Sequence, residues 1–111
     1  MNKSQPNYDV VVVGGGMVGA AAALGLAQTG WSVALLEHEA PAAFEADSVP
    51  DLRVSAIGCT SVSLLKQLGV WPQVQQMRYA PYRRLETWEQ PGSQVVFDAA
   101  SLSLPELGFM V

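Results

Sequence analysis

Three glycines at a fixed spacing are the residues of this chain best suited to hold a ligand. Gly14, Gly16 and Gly19 follow the G-x-G-x-x-G pattern between an apolar run, Val10–Val13, and a longer apolar stretch. The first glycine permits a tight turn after a strand, and the second lets a pyrophosphate approach the backbone. The third lets a helix pack closely on the strand. The pattern therefore predicts a dinucleotide-binding corner.

The residues around these glycines predict the strand–helix–strand unit that such a corner needs. Four consecutive valines indicate a buried strand, and the run from Met17 to Thr29 indicates a helix. The first backbone amides of that helix, at Met17 and Val18, would face the phosphates at its positive end. Gly30 marks the end of the helix, and residues 31–36 indicate a second strand.

An acidic residue follows the second predicted strand directly. Glu37 lies where a carboxylate can accept hydrogen bonds from the ribose hydroxyls of an adenine nucleotide. The next residue, His38, is a further candidate for contact with the nucleotide. The alternative for His38 is a solvated loop histidine with no ligand.

The same stretch has two other interpretations. It could be a glycine-rich hinge or a packed strand–helix–strand unit without a ligand, but the complete context of the motif favours the nucleotide site. The uncharged run from Val10 to Leu36 also suits a membrane-spanning segment. Its several glycines, the polar pair Gln28 and Thr29, and Asp9 directly before it argue against that interpretation.

Composition narrows the class of protein. The chain has 111 residues, of which 50% are hydrophobic and 14% charged, so we expect one globular domain at most. A net charge of −4 without a basic run argues against a nucleic-acid partner. The single Cys59 cannot form an internal disulfide and fits a reducing, cytoplasmic location. No secretory signal, metal-ligand cluster or catalytic triad is evident from the sequence.

The remaining segments predict further helices and strands. Apolar periodicity over residues 53–68 indicates a helix, with Ser55 as N-cap and Gly69 after its end, and Pro72 to Met77 indicate a short second helix. Residues 38–51 read as an acidic crossover, and residues 78–84 as an aromatic and basic loop. A hairpin around Pro91-Gly92-Ser93 joins predicted strands at residues 85–89 and 94–98, and another strand begins near Gly108.

Several strings beyond the glycine motif resemble the flavoprotein aromatic hydroxylases, and within them the ubiquinone-biosynthesis branch. The resemblance covers nearly the whole chain, and its later strings are more specific than the glycine motif. These strings are Asp51–Ile57, Leu68–Trp71, Pro81–Trp88, Val96–Ala100 and Leu107–Val111.

This resemblance implies a fold and a domain organisation. We expect an α/β fold, namely the N-terminal part of a doubly wound, Rossmann-like FAD-binding domain with a β-hairpin excursion. Residues 1–111 would be an incomplete domain, made of a βαβ unit (8–37), a crossover with helices (38–77), a hairpin (84–98) and the start of another strand (107–111). Two later motifs of the family, an Asp-Gly and a Gly-Asp segment, are absent, so we expect the N-terminal portion of a longer protein, inactive by itself.

The resemblance also implies an activity and its cofactors. Members of this family are FAD-dependent monooxygenases that use NAD(P)H and O2 to hydroxylate an electron-rich ring, here a polyprenyl quinol. Carried over by position, Gly14, Gly16 and Gly19 would hold the FAD pyrophosphate, and Glu37 the adenosine ribose. Arg53 matches an arginine that contacts the cofactor, although a salt bridge to the acidic crossover explains it equally well.

Partners and location follow from the implied substrate. An isoprenoid quinol suggests peripheral contact with the inner membrane or association with a ubiquinone-biosynthesis complex, although no amphipathic element in the sequence indicates it. Two other functions stay open at this point. One is an NAD(P)-dependent dehydrogenase, disfavoured by the long crossover and the hairpin, and the other is a non-catalytic nucleotide-binding subunit.

Overall fold

The computed structural model describes residues 5–111, which form two compact units with the division between Ala43 and Phe44. The first unit contains a parallel strand pair joined by one helix. Its elements are β1 (Val10–Val13), α1 (Met17–Gln28) and β2 (Val33–Leu36). The pairing register runs from Val10 opposite Val33 to Val13 opposite Leu36, so the two strands are in step along their whole length.

The helix of the first unit ends as its sequence predicts. Gly30 has φ +97°, which is a left-handed conformation that glycine adopts without strain. Its N–H donates to the carbonyl of Ala27 at 3.1 Å, and the N–H of Trp31 donates to that of Leu26 at 3.2 Å. This pair of bonds is the Schellman arrangement at a helix C-terminus. Because Trp31 takes part in it, β2 begins at Val33 and not at residue 31 as predicted.

Three reciprocal hydrogen bonds between Asp9 and Ser32 join the two strands at the end far from the glycines. The Asp9 carboxylate accepts from the N–H of Ser32 at 2.8 Å and from its hydroxyl at 2.9 Å, while the N–H of Asp9 donates to Ser32 Oγ at 3.0 Å. The bonds from Ser32, first its backbone N–H and then its hydroxyl, hold the pKa of Asp9 below its ordinary value. Asp9 and Ser32 therefore fix the point at which β1 and β2 start to pair.

The second unit is built from short antiparallel pairings around two helices. A three-stranded sheet has the order β3-β7-β4, and a hairpin pairs β5 with β6. The elements are, in chain order, β3 (Ala56–Gly58), α2 (Cys59–Gln67), α3 (Trp71–Gln76), β4 (Ala80–Tyr82), β5 (Arg84–Trp88), β6 (Gln94–Asp98), a 3-10 helix (Ala100–Leu102) and β7 (Gly108–Met110).

The core of the second unit centres on a tryptophan. Trp71 is only 4% exposed, and Val62, Leu68 and Ala99 are the other buried apolar residues of the unit's core among the residues that the structure describes. Its ring meets that of Phe109 edge-on, with the ring centroids 5.1 Å apart, and that of Tyr79 at 6.2 Å. Edge-to-face contacts of this kind add to the free energy gained by burying aromatic surface.

Three predictions for the second unit are wrong in detail. Ser55 is not an N-cap, because its N–H and carbonyl pair with Val111 at 2.8 and 2.9 Å and extend the β3–β7 ladder. The helix therefore starts at Cys59, after Gly58 as N-cap. Residues 78–84 are not a loop throughout, since β4 and the first residue of β5 lie in them. Pro81 is tolerated in β4 because that strand lies at the sheet edge.

The other predicted elements of the second unit are close to those observed. The short helix runs from Trp71 to Gln76, one residue earlier than expected, and β6 has the expected bounds. The hairpin turn contains Gly92 at φ +90°, and a strand begins at Gly108 as predicted. The 3-10 helix after β6 was not predicted. The assignment of the whole chain to one incomplete FAD-binding domain stays a prediction.

Candidate functional site

The first glycine makes the corner between β1 and α1. Gly14 has φ +101°, where a side chain would be strained, and its N–H donates to the carbonyl of Leu36 at 2.8 Å. This bond continues the β1–β2 pairing by one residue and sets the corner beside the end of β2. We refer to residues 14–19 as the glycine corner.

The third glycine allows the helix to lie against the corner. A Cβ atom built on Gly19 would lie 1.8 Å from the carbonyl oxygen of Gly14 and 3.5 Å from Val12 Cγ1. No side chain fits at the first of these distances, so only glycine permits this approach of α1 to the turn. The sequence predicts that Gly19 lets the helix pack closely on the strand, and the geometry inside the unit agrees with that role.

The second glycine is different, because the described part of the chain does not require it. Gly16 is the N-cap of α1 with φ −67°, which any residue can adopt, and a Cβ atom built there meets nothing within 4 Å. Neither backbone strain nor packing within residues 5–111 explains a glycine at this position. An approaching group from outside, such as a pyrophosphate, would explain it.

The start of α1 offers the donors that such a group needs. No side chain caps the amides at Gly16, and the first turn, which includes Met17 and Val18, contains no acidic residue. Both of these side chains are exposed. The unpaired N–H groups of a first helical turn and the helix dipole together favour an anion at this position.

Glu37 lies next to the glycine corner, directly after β2. Its carboxylate accepts hydrogen bonds from the N–H groups of Gly15, His38 and Glu39; the distance is 2.7 Å for His38 and 3.2 Å for Glu39. The N–H groups of Glu39, Gly15 and His38, in that order of effect, hold the pKa of the Glu37 carboxyl below its ordinary value of 4.5. The side chain is therefore an anionic acceptor at neutral pH.

The structure brings six of the eight predicted residues into one small region and adds a seventh beside it. Gly14, Gly16, Gly19 and the first residues of α1 form the corner, with Glu37 bonded to it; His38 follows Glu37 and is exposed. The remaining residue, Arg53, is exposed in the second unit before β3, and within residues 5–111 it forms no ion pair. Its contact with a cofactor stays a prediction.

One residue of the corner was missed by sequence reasoning. Gly15 occupies a position that the G-x-G-x-x-G pattern leaves free, yet its N–H is the group of the corner that Glu37 binds. Gly15 is the middle residue of three consecutive glycines. That run is the signal that could have indicated a close approach of another side chain to the backbone at residue 15.

The residues present fit the ADP half of a dinucleotide. The corner offers backbone donors and open space at Gly16, and an ionised acceptor follows the neighbouring strand. Within residues 5–111, no three His, Cys, Asp or Glu side chains are grouped as a metal site would need, and no helix has the length and apolar character required to cross a membrane.

Comparison with known proteins gives one match over the glycine corner and its flanks and others over nearly the whole chain. Residues 9–51 match the family described as FAD dependent oxidoreductase. The chain is 63% identical over 108 residues to the 3-demethoxyubiquinol 3-hydroxylase of Escherichia coli (strain K12), an alignment that covers 97% of this chain and 27% of that protein. It is 36% identical over 110 residues to the human mitochondrial ubiquinone biosynthesis monooxygenase COQ6, covering 94% of this chain and 23% of the relative.

A shorter match points the same way. The chain is 43% identical over 63 residues to the ubiquinone hydroxylase UbiL of Rhodospirillum rubrum, covering 57% of this chain and 14% of that protein. The predicted resemblance to ubiquinone-biosynthesis hydroxylases is confirmed by these matches. A Rossmann-like α/β arrangement is supported by the family match together with the β1-α1-β2 unit. The chain spans about a quarter of the length of the first two relatives.

Proposed function

We propose that this chain is the N-terminal part of a longer flavin-dependent hydroxylase, here called the parent protein, and that its glycine corner binds the ADP half of FAD. The observation that carries this proposal is the contrast between two glycines. Gly19 is required by the packing of α1, whereas Gly16 borders open space and has an unstrained φ. A diphosphate at the corner supplies the missing reason for Gly16, and the match to FAD-dependent oxidoreductases supports FAD as its source.

Each proposed contact has its own physical basis. The N–H groups at Gly16, Met17 and Val18 would bind the diphosphate, with Gly14 and Gly19 shaping the turn. The Glu37 carboxylate would accept from the ribose hydroxyls, with His38 beside it. Arg53 would contact the cofactor as a guanidinium, which binds phosphate and carbonyl oxygens through a fixed set of donors.

We further propose the reaction of the parent protein from its relatives. The glycine corner and Glu37 would hold the ADP end of FAD, and the cofactor would supply the redox chemistry by which one oxygen atom of O2 enters a polyprenyl benzoquinol of ubiquinone biosynthesis, while the other leaves as water and NAD(P)H provides the two electrons. The residues of this chain would bind and orient the nucleotide end of the cofactor, while the flavin ring and the quinol would be held by the rest of the parent protein. We propose no catalytic residue in this chain and expect it to be inactive by itself.

The larger architecture and the location belong to the same proposal. The β1-α1-β2 unit would be part of a doubly wound parallel sheet completed by the parent protein. An isoprenoid quinol partitions into lipid, so the parent protein would work in the cytoplasm at the surface of the inner membrane or within a ubiquinone-biosynthesis complex.

Three measurements on the purified parent protein distinguish this function from the two alternatives, the NAD(P)-dependent dehydrogenase and the non-catalytic nucleotide-binding subunit. We expect visible flavin absorbance, FAD in the supernatant after denaturation, and NAD(P)H oxidation that a polyprenyl benzoquinol stimulates. Tight binding of NAD(P)H without any flavin would indicate the dehydrogenase. Bound FAD without quinol-stimulated oxidation or hydroxylated product would indicate the non-catalytic nucleotide-binding subunit.

A further inference from the structure

Two hydrogen bonds, and not one, tie the glycine corner to the end of β2. The first is the backbone bond from Gly14 N–H to the Leu36 carbonyl at 2.8 Å. The second joins the next residue of each segment, because Gly15 N–H donates to Oε2 of Glu37. The side chain of Glu37 thus continues the pairing of the two strands past the point where their backbones separate.

The side chain of Glu37 is itself held in place. Its other oxygen, Oε1, accepts from the N–H of His38 at 2.7 Å and from that of Glu39 at 3.2 Å. A carboxylate bound on one oxygen by the turn after β2 and on the other by the corner has little freedom to rotate. It is a rigid brace between two segments that are 22 residues apart in sequence.

The identity of residue 15 matches this brace. A Cβ atom built on Gly15 would lie 2.8 Å from Oε2, 3.1 Å from Cβ and 3.2 Å from Cγ of Glu37. Any side chain there would push the carboxylate away from the amide that it binds. The close approach of Glu37 thus explains why residue 15 is glycine, just as the close approach of the Gly14 carbonyl explains why residue 19 is glycine.

From this geometry we propose that Glu37 is a positioning residue for the glycine corner, and that Gly15 is the glycine that lets it act. The carboxylate fixes the corner in the shape that receives the diphosphate before any nucleotide is bound. A carboxylate has about four acceptor positions, and the three backbone donors use three of them. One is left for a ribose hydroxyl, so Glu37 would bind the ribose without releasing the corner.

The consequence for binding rests on the proposed nucleotide site, whereas the brace itself does not. A preformed corner lowers the ordering cost that the ligand would otherwise meet. Loss of the brace should therefore weaken binding even when every group that touches the nucleotide is still present. Faster amide exchange at the corner in the absence of any nucleotide distinguishes this positioning role from a ribose contact alone.

The variants Glu37→Gln and Gly15→Ala in the parent protein test the brace from both sides. Glutamine has one acceptor oxygen and an NH2 group in place of the other, so it cannot accept from the corner and from the turn after β2 together. A bond that remains to the corner is neutral, and the side chain is no longer held on its other side, so the corner loses its fixed, charged acceptor. Alanine at 15 keeps the carboxylate and displaces it. Gly58→Ala is the matched control, since a Cβ atom there meets nothing within 4 Å and the backbone has φ −70°.

Two measurements are needed for each variant. The first is amide hydrogen exchange of a peptide covering residues 13–18 in flavin-free protein, and the second is binding of ADP by calorimetry. We expect faster exchange at the corner in Glu37→Gln and in Gly15→Ala. We also expect ADP affinity to fall on the order of tenfold in both, as for loss of a hydrogen bond to a charged group. The control should match the wild type in both measurements.

Unchanged exchange at the corner in Glu37→Gln would overturn the brace, including the case in which ADP affinity falls because a ribose contact is lost. If Gly15→Ala does not fold, Glu37→Gln alone decides. The variants could show the expected exchange pattern while the wild-type protein binds neither ADP nor FAD. That result would contradict the proposed function but would still support the positioning role of Glu37.

Discussion

Gly19 faces the carbonyl oxygen of Gly14 so closely that a Cβ atom at 19 would lie 1.8 Å from it. The contact joins the first turn of α1 to the residue that turns the chain out of β1. Backbone would have to move to admit even one methyl group, because the atom in the way belongs to the main chain. This relationship makes Gly19 a structural requirement of the unit, whatever the corner binds.

The variant Gly19→Ala should therefore destabilise the parent protein. Overpacking at a backbone contact typically costs about 1–3 kcal/mol of unfolding free energy, and this contact is at the severe end. Urea unfolding followed by circular dichroism measures the loss. Gly58→Ala is the control, since a Cβ atom at Gly58 meets no atom within 4 Å and its φ of −70° is not unusual. Both variants are measured as flavin-free protein. Equal stability of Gly19→Ala and wild type would contradict the packing described for α1.

The Asp9–Ser32 pair should make stability depend on pH in a predictable direction. The folded pKa of Asp9 lies below its ordinary value of 3.8. The stabilisation that the ionised carboxylate gives the folded protein through its bonds to Ser32 is therefore present above that pH. It is lost as the pH falls through the lower folded value. Asp9→Asn should lower the melting temperature near neutral pH and flatten the acid limb of the stability curve.

Thermal unfolding of the parent protein at a series of acidic pH values checks this expectation. Asp51→Asn serves as the control, because Asp51 is exposed and accepts no hydrogen bond within residues 5–111. If Asp9→Asn and Asp51→Asn change the curve equally, the bonds between Asp9 and Ser32 do not carry the effect.

Truncation should cost much more stability at one tryptophan of the second unit than at another. Trp71 is 4% exposed and packs against Phe109, whereas Trp88 is 71% exposed on the hairpin. Trp71→Ala should cost about 3–5 kcal/mol in unfolding free energy, as for other buried aromatic residues. Trp88→Ala should change it by less than about 0.5 kcal/mol. Chemical denaturation of both variants provides the comparison, and a larger loss for Trp88→Ala would contradict the assigned core.

Arg78 should order the segment that precedes the antiparallel sheet. Its guanidinium donates to the carbonyls of Ala46, at 2.6 Å, and Ser48, and it lies 5.7 Å from the ring centroid of Phe44. Arg78→Ala should expose residues 44–48 to limited proteolysis. Arg84→Ala is a matched control, since Arg84 forms an exposed ion pair with Glu86 at 3.4 Å, a kind of contact that contributes little. Identical cleavage of the two variants would contradict an ordering role for Arg78.

The first unit was predictable because its determinants are local. A run of valines, a spaced set of glycines and a stop at Gly30 each specify structure within a few residues of themselves. The second unit was predicted less well because its strands are short and pair over long separations. Ser55 looks like a helix N-cap until Val111, far along the chain, pairs with it. No periodicity within residues 53–68 could have shown that partner.

The same distinction applies to the candidate site. The spacing of Gly14, Gly16 and Gly19 specified the corner, and the position of Glu37 after β2 placed an acceptor near it. The bond from Gly15 to Glu37 was not predicted, since it depends on how closely two separate segments approach each other. Arg53 was singled out through the family resemblance, and its role stays a prediction.

The most direct test of the nucleotide site is the FAD content of the parent protein carrying Gly16→Val. Valine at 16 faces open space within the described chain at a φ that it can adopt, so the variant should fold like the wild type. Its side chain would occupy the space through which a diphosphate must approach. We predict a wild-type circular dichroism spectrum and melting curve of the flavin-free protein, with little or no FAD retained after gel filtration. A stably folded Gly16→Val protein that retains FAD in wild-type amount would contradict the account.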